Sequence, residues 1–388
     1  MAARSVVLCG STGSVGTQAV ELVSRHRDEL EITALTAGGA SPALLADQVR
    51  ALGVRLVAVA DESARAALVR ELGDLAAGVD ILAGPDASAT VARSGADVVL
   101  NAITGSIGLA TTLAALESGS TLALANKESL VAGGALVRAA AQRPDQIVPV
   151  DSEHSAMAQA LRGGRAEEVR RLVLTASGGP FRGWTREQMS AVTAAQALAH
   201  PTWAMGPVVT VNSASMMNKS LELIEAHLLF DVPVEDITVV VHPQSVVHSM
   251  VEFRDGSTLA QASPPDMRLP IALGLSWPDR MDDVIAPCDW TQATSWTFEP
   301  LDDDVFTAPN LARHAVRASA THPAAMNAAN EVAVDAFLAG RAGFGDILDI
   351  VHRVVDEHEG TPGSQVTLST VVETERWARA RARELLAS

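Results

Sequence analysis

Strand-length apolar runs alternate with helical segments over the first 150 residues, and this alternation restricts the fold more than any other feature. The runs occur at residues 6–9, 31–36, 56–60, 97–101, 121–125 and 146–150, separated by segments rich in Ala, Leu, Arg and Glu. Continuous apolar strands joined by helices are typical of a parallel sheet covered on both faces. We therefore predict an α/β fold in which residues 1–150 form a Rossmann-type domain with a parallel sheet.

The rest of the chain has a different pattern. Residues 237–241, 246–253 and 257–261 resemble strands, and Asp255 and Gly256 between the last two suit a hairpin turn. We predict a central α+β domain at 151–285 and a linker at 286–310. Residues 326–338 and 373–386 have clear helical spacing, so a C-terminal helical bundle is expected at 311–388.

Charge and cysteine content exclude several classes of function. The formal net charge is 29 − 46 = −17, which opposes binding to nucleic acid. The sequence lacks both the long apolar run of a membrane span and the basic-apolar pattern of a secretory signal after Met1. Two cysteines are too few for a disulfide framework or a zinc cluster. We expect a cytoplasmic protein without a nucleic-acid or membrane partner.

A glycine-rich loop, GSTGSVG at 10–16, follows the first strand and precedes a helical segment. These glycines either only turn the chain or let amides at the helix N-terminus bind a pyrophosphate; the order strand, loop, helix favours the second interpretation. The second strand ends near Gly38 and Gly39 without an acid in that loop to bind the ribose hydroxyls of NAD. We therefore expect NADPH, with Ser41 and loop amides near its 2′-phosphate.

Two acids follow the strand at 146–150. If the backbone stays extended, Asp151 and Glu153 point the same way. Two close carboxylates are unfavourable unless a cation lies between them or one is protonated. A solvated loop with two acids is the alternative.

A helical segment at 216–222 supports a metal site. Asn218, Lys219 and Glu222 share one helix face, and the apolar neighbours indicate burial, where charged groups need partners. An exposed Lys-Glu pair is the alternative. Three carboxylates without cysteine ligands favour Mg²⁺ or Mn²⁺ over Zn²⁺, with His154 as a supporting residue.

Two further loops have features of substrate binding. TASGGPF at 175–181 is a strand end that opens into a glycine loop, where Ser177 and backbone amides suit a phosphate. HPTWAMG at 200–206 joins His200, Trp203 and Met205 in a stretch bounded by Pro and Gly, which is typical of a closing flap near 198–208. A tryptophan packed in the core is the alternative for Trp203.

These segments, with others in the same order, resemble the 1-deoxy-D-xylulose 5-phosphate reductoisomerase family along nearly the whole chain. The resemblance includes GSTGSVG at 10–16, ALANKESLV at 123–131, PVDSEHSA at 149–156, LTASGGPF at 174–181, HPTWAMG at 200–206, NSASMMNKSLELIEAH at 212–227, HPQSVVHSMVEF at 242–253, PPDMRLPI at 264–271 and MNAANEVAV at 326–334.

The resemblance implies roles for individual residues. Asp151, Glu153 and Glu222 would bind the metal, while Ser177, Ser213, Asn218 and Lys219 would form a phosphate pocket. The implied substrate contacts also include Lys127, Ser152, Glu153, His200 and Glu222, and the catalytic set is Lys127, Glu153, His200 and Trp203. The implied cofactor residues are Thr12, Gly13, Ser14, Val15, Gly38, Gly39, Asn126, Glu128 and Gly206. The chain departs from many members at Gly39 and Pro207, where a basic residue is common.

The resemblance also implies a reaction. A phosphorylated keto-sugar, 1-deoxy-D-xylulose 5-phosphate, would rearrange with the help of the cation and accept a hydride from NADPH, giving 2-C-methyl-D-erythritol 4-phosphate for non-mevalonate isoprenoid precursor synthesis. Retro-aldol cleavage and a concerted shift remain open as routes. We further expect a homodimer.

Two other functions compete with this prediction. A semialdehyde dehydrogenase-like enzyme would need a cysteine thiolate, but Cys9 lies in the first strand and Cys288 in the linker. A non-catalytic NADP sensor would be indicated by loss of the carboxylates or of Lys219, and all of these are present.

Overall fold

The structure is a computed structural model that describes residues 3–203 and 205–387, so Ala204 in the predicted flap lies outside the described residues. The strands are β1 (Arg4–Cys9), β2 (Leu30–Ala37), β3 (Leu56–Val59), β4 (Asp80–Ala83), β5 (Val98–Asn101), β6 (Thr121–Leu124), β7 (Ile147–Pro149), β8 (Val169–Ala176), β9 (Ile237–Val241), β10 (Val247–Phe253), β11 (Thr258–Ala262) and β12 (Glu299–Pro300).

Helices of four to twenty residues connect these strands and make up the C-terminal region. They are α1 (Ser14–Arg25), α2 (Pro42–Leu52), α3 (Arg65–Leu72), α4 (Ala87–Ala92), α5 (Leu109–Glu117), α6 (Lys127–Ala140), α7 (Ser152–Leu161), α8 (Arg186–Met189), α9 (Ala194–Ala197), α10 (Pro207–Ala214), α11 (Met217–Phe230), α12 (Arg268–Ser276), α13 (Ala308–Ala318), α14 (His322–Leu338), α15 (Phe344–Glu357) and α16 (Leu368–Ala387). No helix within the described ranges has both the length and the apolarity needed to cross a membrane.

The chain divides into two compact units. The first contains the chain up to Ser129, Val137–Ser155 and Asp266–Ala286. The second contains Leu130–Leu136, Ala156–Pro265 and the chain from Pro287 onward. Each unit has its own hydrophobic core.

A seven-stranded parallel sheet organises the first unit, in the order β4-β3-β2-β1-β5-β6-β7. Its central strands are almost wholly buried because both faces are covered, as their apolar sequences predicted. The strand order reverses between β1 and β5, and in such sheets ligands bind outside the carboxyl ends of the strands at this point. The Rossmann-type sheet predicted from the sequence is confirmed, and β4, which was not predicted, extends one edge.

The second unit contains a mixed five-stranded sheet in the order β11-β10-β8-β9-β12. β8 pairs parallel to β9 and antiparallel to β10, and β10 forms the predicted hairpin with β11. Asp255 accepts hydrogen bonds from the backbone and hydroxyl of Ser257, which stabilises the hairpin turn. The predicted α+β character of this region is confirmed.

Helices α13 to α16 form the C-terminal part of the second unit. α14 is buried along most of its length and packs against both α15 and α16. Phe337 and Phe344 meet edge-on with ring centroids 5.6 Å apart. The predicted C-terminal helical region is therefore confirmed.

Residues 266–286 group with the parallel sheet, although the sequence pattern assigned them to the central domain. Helix α12 packs against α1 and β6, and it approaches the sheet closely at Gly274. A Cβ atom there would lie 2.8 Å from Val150 Cγ2 and 3.2 Å from Ala123 Cβ. Only a residue without a side chain permits this approach, and such packing cannot be deduced from local periodicity.

Candidate functional site

The glycine-rich loop leaves β1 at the point where the strand order reverses. Gly13 precedes helix α1, and its carbonyl accepts the Thr17 amide at 2.9 Å. Gly13 and Ser14 are exposed, while Thr12 and Val15 are half-buried. The amides of the first helical turn have no partner within the helix, so this surface suits an anionic group such as a pyrophosphate.

Gly39, in the loop after β2, cannot be replaced by a larger residue in this conformation. Its φ of +116° is unfavourable for L residues, and a Cβ atom would lie 2.7 Å from Ala64 Cβ. The structure also brings Asp61, from the loop after β3, beside Gly38, whose carbonyl accepts the Asp61 amide at 2.9 Å. Hydrogen bonds from Ser63 lower the pKa of Asp61, so an ionised acid that the sequence analysis did not identify lies at this loop.

Asn126 joins helix α6 to the loop after β5. Its Oδ1 accepts the Ser129 amide at 3.1 Å and caps the helix, while its Nδ2 donates to Gly105 O at 2.9 Å and to Glu128 Oε2 at 3.0 Å. Asn126 and Glu128, two of the predicted cofactor residues, are therefore in direct contact.

Lys127 and Asp151 form an ion pair in the first unit, and His154 Nδ1 lies 3.8 Å from Asp151 Oδ1. Burial alone would raise the pKa of Asp151, but the Lys127 ammonium and the His154 imidazole hold it well below its usual range. Asp151 is therefore ionised at neutral pH. A partly buried, ionised carboxylate is suited to binding a cation.

The expectation that the backbone stays extended from Asp151 to Glu153 is wrong. Helix α7 begins at Ser152, and the Asp151 carbonyl accepts the Ser155 amide at 2.8 Å. Glu153 lies in the first helical turn, where a carboxylate is favoured by the helix dipole. The Ser152 hydroxyl donates to Glu153 Oε2, so these two predicted substrate contacts are bonded to each other.

Ser177 and Ser213, both predicted to bind a phosphate, lie on segments that pack closely in the second unit. Gly179 has a φ of +61°, and a Cβ atom there would lie only 3.0 Å from Ser213 O. The Gly179 amide donates to Ser177 Oγ at 3.3 Å. The glycine loop after β8 therefore lies directly against the last turn of α10.

Helix α11 carries the remaining members of the predicted pocket. Both the Asn218 amide and the Lys219 ammonium donate to the Glu222 carboxylate, which confirms that these side chains share one helix face. Lys219 is 5% exposed and Glu222 is 1% exposed, so the pair is not the solvated ion pair considered as the alternative. The preceding residue Met216 has a φ of +62°, which turns the chain sharply between α10 and α11.

His200 anchors the predicted flap. Its Nδ1 accepts the backbone amides of Thr202 at 3.1 Å and Trp203 at 2.9 Å, so Nε2 carries the proton of the neutral ring. Nε2 lies 3.1 Å from Ser177 Oγ and donates to it. Burial lowers the pKa of His200, which favours this neutral form at pH 7.

Trp203 lies over a residue that the sequence analysis did not identify, His248 on strand β10. The two ring centroids are 6.2 Å apart, and His248 Nε2 lies 3.2 Å from Ser263 O. Burial lowers the pKa of His248 to about 4, so the ring is neutral. Its sequence signal was a histidine at a buried strand position within the segment HPQSVVHSMVEF at 242–253. Trp203 itself is half-buried.

Gly206 and Pro207 lie at the N-terminal end of helix α10. Gly206, a predicted cofactor residue, is exposed and precedes the helix, and Pro207 occupies its first turn. Proline suits this position because the first-turn amide has no partner within the helix. The helix start therefore explains locally why proline is tolerated at one of the two positions where the chain departs from many family members.

Family models match three segments that together cover most of the chain. Residues 6–134 match the 1-deoxy-D-xylulose 5-phosphate reductoisomerase model, residues 147–230 match a C-terminal domain model of that enzyme, and residues 262–381 match a second C-terminal domain model.

Curated relatives and solved structures agree. The 1-deoxy-D-xylulose 5-phosphate reductoisomerase of Beutenbergia cavernae is 65% identical over 100% of this chain and 98% of its own, and that of Kitasatospora griseola is 61% identical over 98% and 100%. A structure of the Zymomonas mobilis enzyme in complex with NADPH aligns over 100% of both chains with a TM-score of 0.91 and 42% identity. Another reductoisomerase structure, with NADPH, fosmidomycin and magnesium, aligns over 99% of this chain and 98% of its own, with a TM-score of 0.91 and 35% identity. The chain belongs to the 1-deoxy-D-xylulose 5-phosphate reductoisomerase family.

Proposed function

We propose that this protein converts 1-deoxy-D-xylulose 5-phosphate to 2-C-methyl-D-erythritol 4-phosphate with NADPH, as its family name describes, in isoprenoid precursor synthesis. The observation that carries the proposal is the 65% identity to a reductoisomerase over the entire chain. The grouping of Ser177, His200, Asn218, Lys219 and Glu222 side chains in hydrogen-bonded sets supports it.

We propose Asp151, Glu153 and Glu222 as the ligands of one divalent cation. Their oxygen donors fit Mg²⁺ or Mn²⁺, and Asp151 is ionised while Glu222 is buried among polar partners. When bound, the cation polarises the substrate's carbonyl and hydroxyl oxygens, and NADPH supplies the hydride. Lys127 holds the Asp151 carboxylate in place and can donate a proton to a nearby substrate oxygen.

The proposed phosphate pocket consists of Ser177, Ser213, Asn218 and Lys219, which offer two hydroxyls, an amide and an ammonium. The close approach of Gly179 to Ser213 supports grouping the first two, and the helical face of α11 supports grouping the last two. His200 orients the Ser177 hydroxyl by a hydrogen bond from its Nε2. Its Nδ1 accepts a hydrogen bond from the Trp203 backbone amide and so holds Trp203 in the flap. Ser152, Glu153 and His200 complete the proposed substrate contacts.

For NADPH we propose the exposed N-terminal turn of α1, with Thr12, Gly13, Ser14 and Val15, as the pyrophosphate site. The other proposed cofactor residues are Gly38, Gly39, Asn126, Glu128 and Gly206. We propose a functional division of the chain into an NADPH-binding part at 1–150, a catalytic and metal-binding part at 151–285 with its flap near 198–208, a linker at 286–310 and a helical part at 311–388.

The competing functions are less well supported. Burial raises the pKa of the Cys9 thiol to about 12, so this cysteine is protonated and cannot act as a dehydrogenase nucleophile. Cys288 is a free thiol in the segment before α13. Burying a charged pair such as Lys219 and Glu222 costs desolvation free energy. A non-catalytic sensor would have no need for such a pair.

We propose a homodimer in the cytoplasm. Strand β11 lies at the edge of its sheet, and its Leu259 side chain is exposed. Trp290 is 70% exposed and meets Trp296 edge-on, with ring centroids 5.8 Å apart. An exposed strand edge and exposed aromatic side chains are typical of interaction surfaces. Light scattering of the purified protein tests the dimer, and the cytoplasmic location rests on the sequence alone.

The test of the reaction is to follow NADPH absorbance after adding 1-deoxy-D-xylulose 5-phosphate in the presence of Mg²⁺ or Mn²⁺, with product identified by mass spectrometry. The unphosphorylated sugar serves as the control, because it lacks the group that Lys219 is proposed to bind. NADPH that stays unoxidised with both metals would contradict the proposed function.

We expect NADPH to give a higher kcat/KM than NADH, by about 10- to 100-fold, the value of one hydrogen bond to a charged group. The preference should be moderate because Gly39 provides no basic side chain and the Asp61 carboxylate lies close to the same loop. Steady-state kinetics with both cofactors measure this ratio. Asp61→Asn should increase it, and a preference of the unmodified protein for NADH would contradict the prediction.

Trp203→Ala should reduce kcat/KM by about 100-fold, the typical effect of misplacing groups around a substrate, with little change in Tm. The physical reason is that the half-buried Trp203 ring covers the site without belonging to the core. Trp184 is a matched control because it packs on Phe181 at 5.0 Å beside the core. Trp184→Ala should lower Tm instead. Unchanged kinetics with a large loss of stability in Trp203→Ala would show that Trp203 is a core residue.

A further inference from the structure

Two buried asparagines connect helix α14 to helix α10 within the second unit. Asn330 Nδ2 donates to Asn212 Oδ1 at 3.0 Å. Asn330 is 0% exposed and Asn212 is 5% exposed, so solvent does not compete for this bond. Asn330 belongs to the segment MNAANEVAV at 326–334, to which the reaction assigns no role.

Helix α10 is held at two consecutive residues. Asn212 accepts the hydrogen bond from Asn330 of α14. The carbonyl of Ser213 lies against Gly179 in the loop after β8. One residue further, α10 ends, and the left-handed turn at Met216 starts α11, which carries Lys219. A shift of α10 would therefore move Ser213 and the start of α11 together.

Simple packing does not account for an amide at position 330. Asn330 Oδ1 is buried and has no hydrogen-bond partner among the residues that the structure describes. A buried amide that uses only one of its polar groups is less favourable than an apolar side chain of similar volume. Asparagine at position 330 therefore stabilises the fold less than leucine would. What asparagine provides and leucine cannot is the directional hydrogen bond to Asn212.

We infer that Asn330 is a positioning residue for the substrate-phosphate pocket and acts through Asn212. This inference rests on the proposed assignment of Ser213 and Lys219 to the phosphate. The C-terminal helix α14 thereby fixes the orientation of α10, so that the Ser213 hydroxyl faces the phosphate without reorganisation.

The test uses Asn330→Leu, Asn212→Ala and the double variant. For each, the KM for 1-deoxy-D-xylulose 5-phosphate, the inhibition constant of inorganic phosphate, the KM for NADPH and Tm are measured. Each single variant should raise the substrate KM and the phosphate constant about tenfold, the value of one buried hydrogen bond, without changing the NADPH KM. The double variant should be no worse than the single ones, because both remove the same bond. Asn212→Ala keeps the test available if Asn330→Leu fails to fold.

Asn327→Leu is the matched control. Asn327 is similarly buried on α14, but its amide donates to Glu331 of the same helix at 3.0 Å. This variant should leave the phosphate constant unchanged. Additive effects in the double variant, or a lower Tm with an unchanged phosphate constant in Asn330→Leu and Asn212→Ala, would overturn the inference. If Lys219→Gln raises the phosphate constant while both asparagine variants do not, only the inference fails. If Lys219→Gln also has no effect, the proposed phosphate pocket fails with it.

Discussion

Removal of divalent cations by excess EDTA should lower turnover by at least about 10³-fold, because a Lewis-acid contribution of several kcal/mol is lost. NADPH binding should survive, since its proposed residues on the α1 turn and near Asn126 include none of the carboxylates Asp151, Glu153 and Glu222. Turnover in EDTA and after re-addition of Mg²⁺ or Mn²⁺ is measured by NADPH absorbance, and NADPH binding by calorimetry in the same buffers.

Asp151→Asn tests the same metal site by replacing one of its proposed ligands. The variant removes one anionic ligand and also the ion pair with Lys127, so it should require a higher metal concentration for half-maximal activity. Arg93–Glu117 is an exposed ion pair of the same unit, and Glu117→Gln should leave the metal requirement unchanged. Full activity in excess EDTA would remove the metal from the proposal.

Glu222→Gln and Lys219→Gln should have separable effects although the two residues are bonded to each other. Glu222→Gln keeps the shape but loses an anionic metal ligand, so kcat at limiting metal should fall by at least about 100-fold. Lys219→Gln keeps a hydrogen-bond donor toward Glu222 but loses the positive charge, so the substrate KM should rise about 10- to 100-fold. Glutamine is preferable to alanine at 219, because alanine would deprive the buried Glu222 carboxylate of a donor.

The metal dependence distinguishes the two variants. Excess Mn²⁺ should partly restore Glu222→Gln and leave Lys219→Gln unchanged, because only the first changes the cation equilibrium. Melting curves of both variants identify any contribution from lost stability. If Mn²⁺ rescued both variants equally, or neither, Glu222 could not be assigned to the metal and Lys219 to the phosphate.

The sequence alone determined the features that depend on local geometry. Apolar runs identified β1 and β5 of the parallel sheet, because central strands buried on both faces are mostly apolar. The Asp255 and Gly256 turn identified the β10–β11 hairpin. Helical spacing placed Asn218 and Lys219 on the same face as Glu222, because residues three and four apart are neighbours in any α-helix.

Local rules also produced one error and one omission. The extended conformation expected at Asp151 and Glu153 is a helix start, which the acidic Glu153 in its first turn would have indicated. Strand β4 was not predicted because it has only four residues and none of them is fully buried. The apolar signal of a buried strand is therefore weak there.

Only the tertiary structure decided which distant residues meet. Asp61 lies beside Gly38 because β2 and β3 are neighbours in the sheet, and His248 lies beneath Trp203 because β10 pairs with β8. Asn330 bonds Asn212 across 118 residues of sequence. Periodicity describes relations within one element, whereas these contacts depend on strand order and helix packing. The sequence therefore determined the kinds of element and the chemical groups that they carry, while the order and packing of those elements decided which groups support one another.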